Sequence, residues 1–289
     1  MKRNFIALLL VAFAAPVALA QDENLSWSVT EVEPGLYMFE GQGGFTGGNL
    51  GLSMGDDGVV LIDDGLPNIS AMTIASVEEV TGKPVNFLIN THAHGDHTGA
   101  NADLHTKGAT VVAHDNLRAA LLEDAEFPAA GLPELTFNDS MTFHLNGHTA
   151  FVFHLPAAHT SGDSAILFTD VNVLHTGDVM FNKIFPFIDL DGGGSVDGFI
   201  AAQQRMLSMI DDDTKVIPGH GPLASKADLQ SAVDMLIDAR SKVRALVEDG
   251  KSLDEVKAAN PLAQYESWSW DFITTERMTE TLYRSLTSN

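Results

Sequence analysis

Positions 92–97 read His-Ala-His-Gly-Asp-His, three imidazoles and one carboxylate within six residues. Imidazole and carboxylate are zinc ligands alongside thiolate, and the chain contains no cysteine, so thiolate is excluded as ligand or nucleophile. In an extended segment residues two apart point the same way, so His92 and His94 can face one ion. Three more fragments carry the same residue types beside a glycine: His159 in HTSGD, Asp178 in HTGD and His220 in PGHG. His92, His94 and His159 could form a three-imidazole site, and Asp96, His97 and His220 a second one, with Asp178 bridging the two. So many ligands exceed what one tetrahedral zinc takes, which implies two Zn2+ ions per chain. Two adjacent ions would acidify a water between them and polarise a substrate carbonyl. Asp96 is then the catalytic candidate, orienting that water and shuttling its proton.

Such a site needs a scaffold that brings four distant fragments together. Short β-type runs at 28–32, 36–39, 49–54 and 59–62 are split by Gly and Asp turns. Residues 68–81 read as a helix, and Pro84 opens an apolar strand at 85–90. A short helix after the histidine motif, a strand at 110–113 and a helix at 115–124 follow. Further strands are expected at 141–145, 150–155, 164–168 and 171–175, a helix at 197–210 and a last strand at 214–217. From about residue 225 the pattern is helical nearly to the end, with Pro261 as a break. Each ligand-bearing fragment directly follows a strand, and open α/β sheets place their sites beyond the carboxyl ends of strands. Gly95 and Gly99 would let the motif turn tightly. Two successive strand-rich halves, with helices on their outer faces, predict a layered α/β fold.

Composition narrows the class. Lys2 and Arg3, an apolar stretch and Ala18-Leu19-Ala20 make residues 1–20 a signal peptide cut after Ala20. That predicts a periplasmic or secreted protein whose residues 21–289 form one catalytic domain, with no membrane insertion once the signal is gone. The formal net charge is -23, or -25 without Lys2 and Arg3. So acidic a chain repels phosphate backbones, which argues against nucleic acid and for a small-molecule substrate.

The ordered set His92, His94, Asp96, His97, His159, Asp178 and His220 is similar to the metal-binding signature of the metallo-β-lactamase superfamily. The resemblance runs from about Trp27 to His220. It implies a four-layer αββα sandwich with a dinuclear zinc site at one edge of the two sheets. LIDDG at 61–65 resembles the family's early strand and turn, which makes Asp63 a residue supporting the metals from behind. Within that family a glutamate at position 94 would suggest a di-iron redox protein, and a cysteine at 178 one of the thiolate lactamase classes; this chain has His94 and Asp178. The same His/Asp set is shared by glyoxalase II-like thioesterases, lactone hydrolases and, apart from the bridging Asp, another lactamase class. The expectation is an exported hydrolase of carbonyl substrates with β-lactam antibiotics favoured. A lactonase, esterase or thioesterase is the alternative, and a non-catalytic zinc-binding protein a further one.

Other features carry weaker signals. Phe45, at the tip of the glycine-rich loop 41–48, could close on substrate as a hairpin does in lactam-hydrolysing relatives. Asn182 and Lys183 could bind a substrate carboxylate or oxyanion. The loop 189–198 mimics a calcium loop, but Ile200 stands where the final Glu should be. It therefore reads as a structural loop before a helix capped by Ser195 or Asp197. Trp268 and Trp270 read as packing for the last helix. His105, His114, His144, His148, His154 and His175 read as structural or surface histidines.

Overall fold

The computed structural model describes residues 25–287; the expected signal peptide and its cut after Ala20 lie outside them. Seven strands form the first sheet in sequence order: β1 (Ser26–Glu33), β2 (Leu36–Gln42), β3 (Leu50–Gly55), β4 (Gly58–Ile62), β5 (Phe87–Ile89), β6 (Thr110–His114) and β7 (Leu135–Phe137). The first four pair antiparallel, β1 to β2 and β3 to β4 through tight turns and β2 to β3 through the glycine-rich loop 43–49. From β4 onward the pairing is parallel, because each connection carries a helix. These are α1 (Ser70–Thr81), α2 (Asn101–Thr106) and α3 (Asp115–Glu123).

The second sheet contains β8 (Ser140–Leu145), β9 (His148–His154), β10 (Ser164–Phe168), β11 (Val173–His175), β12 (Lys215–Ile217) and β13 (Ala224–Ser225). Here β11 and β12 are parallel, joined through α4 (Val196–Met209). The chain ends in α5 (Lys226–Glu248), α6 (Leu253–Ala259) and α7 (Thr275–Thr287).

The layers follow from side-chain alternation. Val60, Ile62, Ile89 and Val112 point from the first sheet into a core shared with Val152, Ile166, Phe168 and Ile217 of the second. Their sheet neighbours face outward: Leu61 and Leu88 pack under Ile74, Val77 and Leu104 of α1 and α2. On the far side, Phe153, Ala165 and Val216 pack against Met206 of α4 and Leu229 of α5. Strands buried on both faces read as continuous apolar runs, as in the wholly buried SAILF of β10. The result is the expected αββα sandwich.

Differences from expectation have local causes. The helix expected at 68–81 opens as a 3-10 turn over Pro67–Ile69 before turning α-helical. The strand expected at 171–175 begins only at Val173, because Asn172 adopts a left-handed φ of 57°. Strands β7 and β13 went unread because they are too short to show a period. Ser195, rather than Asp197, caps α4, its Oγ accepting from Gly198 N at 2.9 Å. Gly95 has open space around it and no special φ, whereas a side chain on Gly99 would strike the backbone of residues 65–67. Only the second glycine is structurally required.

Candidate metal centre

Parallel pairing puts the carboxyl ends of β4 and β5 side by side, and those of β11 and β12 side by side, at one edge of the sandwich. Asp63 therefore emerges next to the turn that begins at Thr91, and Asp178 next to His220. Asp63 is fully buried with a left-handed φ of 58°. Its Oδ1 accepts from Thr91 N at 2.7 Å, and its Oδ2 from Thr91 Oγ1 at 2.7 Å and His97 Nδ1 at 2.8 Å. Thr91 Oγ1 in turn accepts from His92 Nδ1 at 3.1 Å. One carboxylate thus fixes the outer nitrogens of two rings and turns their Nε2 atoms inward.

Each remaining ring is held in its own way. His159 Nδ1 donates to Phe187 O at 2.8 Å, and Thr160, next in the chain, is fastened through its N and Oγ1 to Asp163, both at 2.7 Å. His94 is reversed: its Nε2 donates outward to Asp189 Oδ2 at 3.0 Å, and its Nδ1 faces the other rings. His220 is stacked between Phe181, at 4.9 Å between centroids, and Phe45, at 5.9 Å. Asn182 steadies the same turn, its backbone N donating to His220 O at 2.9 Å and its side chain to Pro222 O at 2.9 Å. Close approach makes two glycines obligatory: a Cβ on Gly48 would collide with the His97 ring, and one on Gly219 with Asp178 Oδ1.

The inward-facing atoms converge. His94 Nδ1 lies 3.1 Å from His92 Nε2 and 2.9 Å from His159 Nε2. Asp178 Oδ2 lies 3.8 Å from His92 Nε2, 3.6 Å from His159 Nε2 and 3.3 Å from His220 Nε2, while its Oδ1 is 3.2 Å from His97 Nε2. Asp96 Oδ2 sits 3.6 Å from His97 Nε2 and 3.5 Å from His220 Nε2. Ligands at about 2.0–2.1 Å around a tetrahedral zinc are separated by roughly 3.3 Å, so these spacings suit metal coordination. His97 Nε2 and Asp178 Oδ1 are buried with no hydrogen-bond partner, an arrangement that costs free energy unless a cation satisfies them. His92, His94 and His159 form one group able to hold a metal; His92, His97 and Asp178 form another; Asp96, His97 and His220 form a third.

The charge state follows from burial against these neighbours. Burial, helped by the imidazoles of His94 and His97, pushes His159 down to about 4 against the pull of Asp178; burial, with His97, His159 and His94, holds His92 well below the ordinary imidazole range. For His220, Asp178 and Asp96 outweigh burial and push it up to about 9. Burial also opposes charge on Asp178, but His220, His97 and His92 hold it well below the usual carboxylate range. His97 and His220 do the same, less strongly, for Asp96.

A cavity of about 570 Å³ opens onto His94, Asp96, Asp178 and His220. Its other walls are Phe45, Phe181, Phe187, Trp270 and Phe272, with Asp271 as the one further polar residue. Phe45 is at the mouth, 57% exposed. Two expectations change here. Neither Lys183 nor Asn182 lines the cavity: Lys183 is 69% exposed with Asp228 3.9 Å off, and the buried Asn182 amide donates to Pro222 O. Trp268 and Trp270 both pack against the C-terminal helices as expected, and Trp270 in addition lines the cavity. Asp189 begins the loop expected to be structural, yet it orients His94; in so glycine-rich a segment a carboxylate that holds a distant ring has the same local sequence as one that only forms a turn.

Residues 43–220 match the model of the metallo-beta-lactamase superfamily. The chain belongs to that superfamily. Among curated relatives, this metallo-beta-lactamase-fold protein is 27% identical over 203 residues to a hydroxyacylglutathione hydrolase of Methylococcus capsulatus, covering 65% of this chain and 72% of the relative. It is 26% identical to a hydroxyacylglutathione hydrolase of Rhizobium meliloti, covering 71% of this chain and 77% of the relative. Solved metallo-beta-lactamases from Pontibacter korlensis (TM-score 0.64, 19% identity, 74% of this chain and 100% of that one) and Hirschia baltica (0.62, 19%, 73% and 98%) share the fold. The superfamily member described here is a metal-dependent hydrolase. No helix among its described residues is long and apolar enough to cross a membrane.

Proposed function

We propose that this protein is an exported dinuclear zinc hydrolase of carboxylic esters or lactones whose substrate carries a large uncharged apolar group. His92, His94 and His159 would hold one ion, Asp96, His97 and His220 the other, and Asp178 both. Zinc, when bound, supplies Lewis acidity that acidifies water and polarises a carbonyl. The chain's own residues do the rest. Asp96 stays a carboxylate beside His97 and His220, so its free oxygen can accept a proton from the attacking water and return it to the leaving group. The aromatic walls hold the acyl body and exclude bulk water, which strengthens every electrostatic interaction inside. The basic start, apolar stretch and small residues of positions 1–20 support export.

The single observation that carries the substrate class is the lining: aromatic rings and carboxylates, with no Lys or Arg. Hydroxyacylglutathione and most β-lactams carry a negative group remote from the bond that breaks, and the aromatic walls away from the histidines offer that group no Lys or Arg, only Asp271, which repels it. A β-lactam remains the second reading, favoured by Phe45 standing on its glycine-rich loop at the cavity mouth.

The test compares the zinc-loaded protein on p-nitrophenyl octanoate, a long-chain N-acyl homoserine lactone, a chromogenic cephalosporin and an acylglutathione. Chelator-sensitive turnover led by the octanoate ester or the lactone is expected. Faster opening of the cephalosporin would replace this reading with the lactam one.

A further inference from the structure

The match to the family ends at His220, yet part of the cavity is built fifty residues later. Trp270, Asp271 and Phe272 belong to a short irregular strap between the 3-10 segment Ala263–Trp268 and α7. We propose that this strap sets the selectivity for the apolar group of the substrate, and that Arg277 of α7 is the positioning residue that keeps it in place. The inference rests on reading the aromatic cavity as the substrate site.

The strap is tied down at both ends. On one side Trp270 Nε1 donates to Phe185 O at 2.9 Å, and Phe185 N donates to Trp268 O at 2.7 Å. This pins the indole to the segment that follows Asp178. On the other side the Arg277 guanidinium lies 3.9 Å from the Phe272 ring centre and 5.8 Å from that of Phe187, and it donates to Phe272 O at 3.0 Å. A cation over an aromatic face at such distances is attractive, the more so where solvent is partly excluded. Arg277 thereby grips Phe272 by both its ring and its carbonyl, although Phe272 is 44% exposed and has little burial of its own to hold it.

The rings so fixed enclose a space rather than a packed core. Phe272 meets Phe187 edge-on at 5.4 Å and Trp270 at 5.7 Å, and Trp270 stands 6.2 Å from Phe181 and 6.4 Å from His220. Trp270 is therefore within one ring's width of a candidate metal ligand. A volume near 570 Å³ lies within the range that holds a drug-sized ligand, which suits a medium-length acyl chain. Apolar contacts here grow with each methylene of the substrate, while the carbonyl stays at the histidines. Selectivity for chain length should thus be a property of the strap and separable from the chemistry.

The experiment uses the zinc-loaded mature protein and its Trp270→Ala, Arg277→Gln and Arg277→Lys variants, on p-nitrophenyl esters from acetate to decanoate. Trp270→Ala should lose about tenfold in kcat/KM on decanoate, mostly through KM, and no more than about twofold on acetate. Arg277→Gln should show a weaker form of the same slope, and Arg277→Lys should restore most of it. Equal losses at every chain length, or a wild-type length profile in both Trp270→Ala and Arg277→Gln, would overturn the proposal. A parallel titration with the neutral fluorescent probe N-phenyl-1-naphthylamine reads the cavity without turnover. If no ester is hydrolysed but Trp270→Ala weakens the probe about tenfold, the strap's role stands and the ester reading fails. Unchanged probe affinity in that variant sinks the strap whatever the hydrolysis shows.

Discussion

Asp189 Oδ2 accepts from His94 Nε2 at 3.0 Å, and this contact turns His94 opposite to the other rings of its group. Asp189 is itself fixed, its Oδ1 accepting from Gly192 N at 2.9 Å and its backbone N donating to His159 O at 2.9 Å. The carboxylate fixes the orientation and the tautomer of the ring. Asp189→Asn should therefore lower zinc affinity by about 10- to 100-fold while leaving the fold intact. Competition with a chromophoric chelator measures it, and an unchanged affinity would remove Asp189 from any role at the metals.

Asp96 stands on the cavity side of the site, 19% exposed, whereas Asp178 is almost wholly buried. Asp96→Asn should reduce kcat by roughly 10²- to 10⁴-fold, the scale of general acid–base catalysis. Thermal unfolding of the metal-free protein should change far less, because the carboxylate is 19% exposed and the amide can keep its place beside His97 and His220. A variant that kept full turnover would show that the proton goes elsewhere.

Removal of metal has a structural consequence. His97 Nε2 and Asp178 Oδ1 are buried 3.2 Å apart without a well-formed hydrogen bond, which a cation between them would relieve. Differential scanning calorimetry with and without zinc should show stabilisation, about 2.7 kcal/mol when free zinc reaches 100 times its dissociation constant. An equal melting temperature under both conditions would mean that these residues hold no metal.

Acid sensitivity away from the site should come in part from His154. It lies flat on His114 at 3.6 Å between centroids, so that the last residues of β9 and β6 meet across the two sheets. Burial, with His114 and Arg205 nearby, holds its pKa below the ordinary value, against the pull of the Asp163 carbonyl and Asp139. Its neutral form is the one the fold favours. The contribution is complete above an ordinary imidazole pKa of about 6.5 and is lost as the pH falls below it toward the depressed folded value. Urea titrations at pH 8, 6.5 and 5 should show a steeper fall in stability for the wild type than for His154→Phe, and parallel curves would assign the acid limb to other groups.

The candidate ligand set was legible because metal-ligand chemistry restricts residue types and the strand-end rule restricts placement. His92, His94, Asp96, His97, His159, Asp178 and His220 could be gathered from four fragments before any coordinate was known, and all seven lie together. Asp63 came with the resemblance, and the structure places it against Thr91 and His97. Asp163 carried a faint local signal, a carboxylate four residues after His159 in a Ser-Gly turn. Trp270 carried none, because an indole in a helical tail looks the same whether it packs a helix or walls a cavity.

Local sequence alone therefore determined most of the strands, the candidate ligand residues and the likeness to one family, since hydrophobic period, turn residues and metal-ligand types are properties of short segments. Tertiary structure decided which nitrogen of each ring faces inward, that Asp189 stands behind His94, that Lys183 faces solvent, and that a strap from the C-terminal region closes the cavity. Those outcomes depend on which distant segments meet across the sandwich edge. The folding of two sheets against each other fixes that meeting, and no single stretch of chain records it.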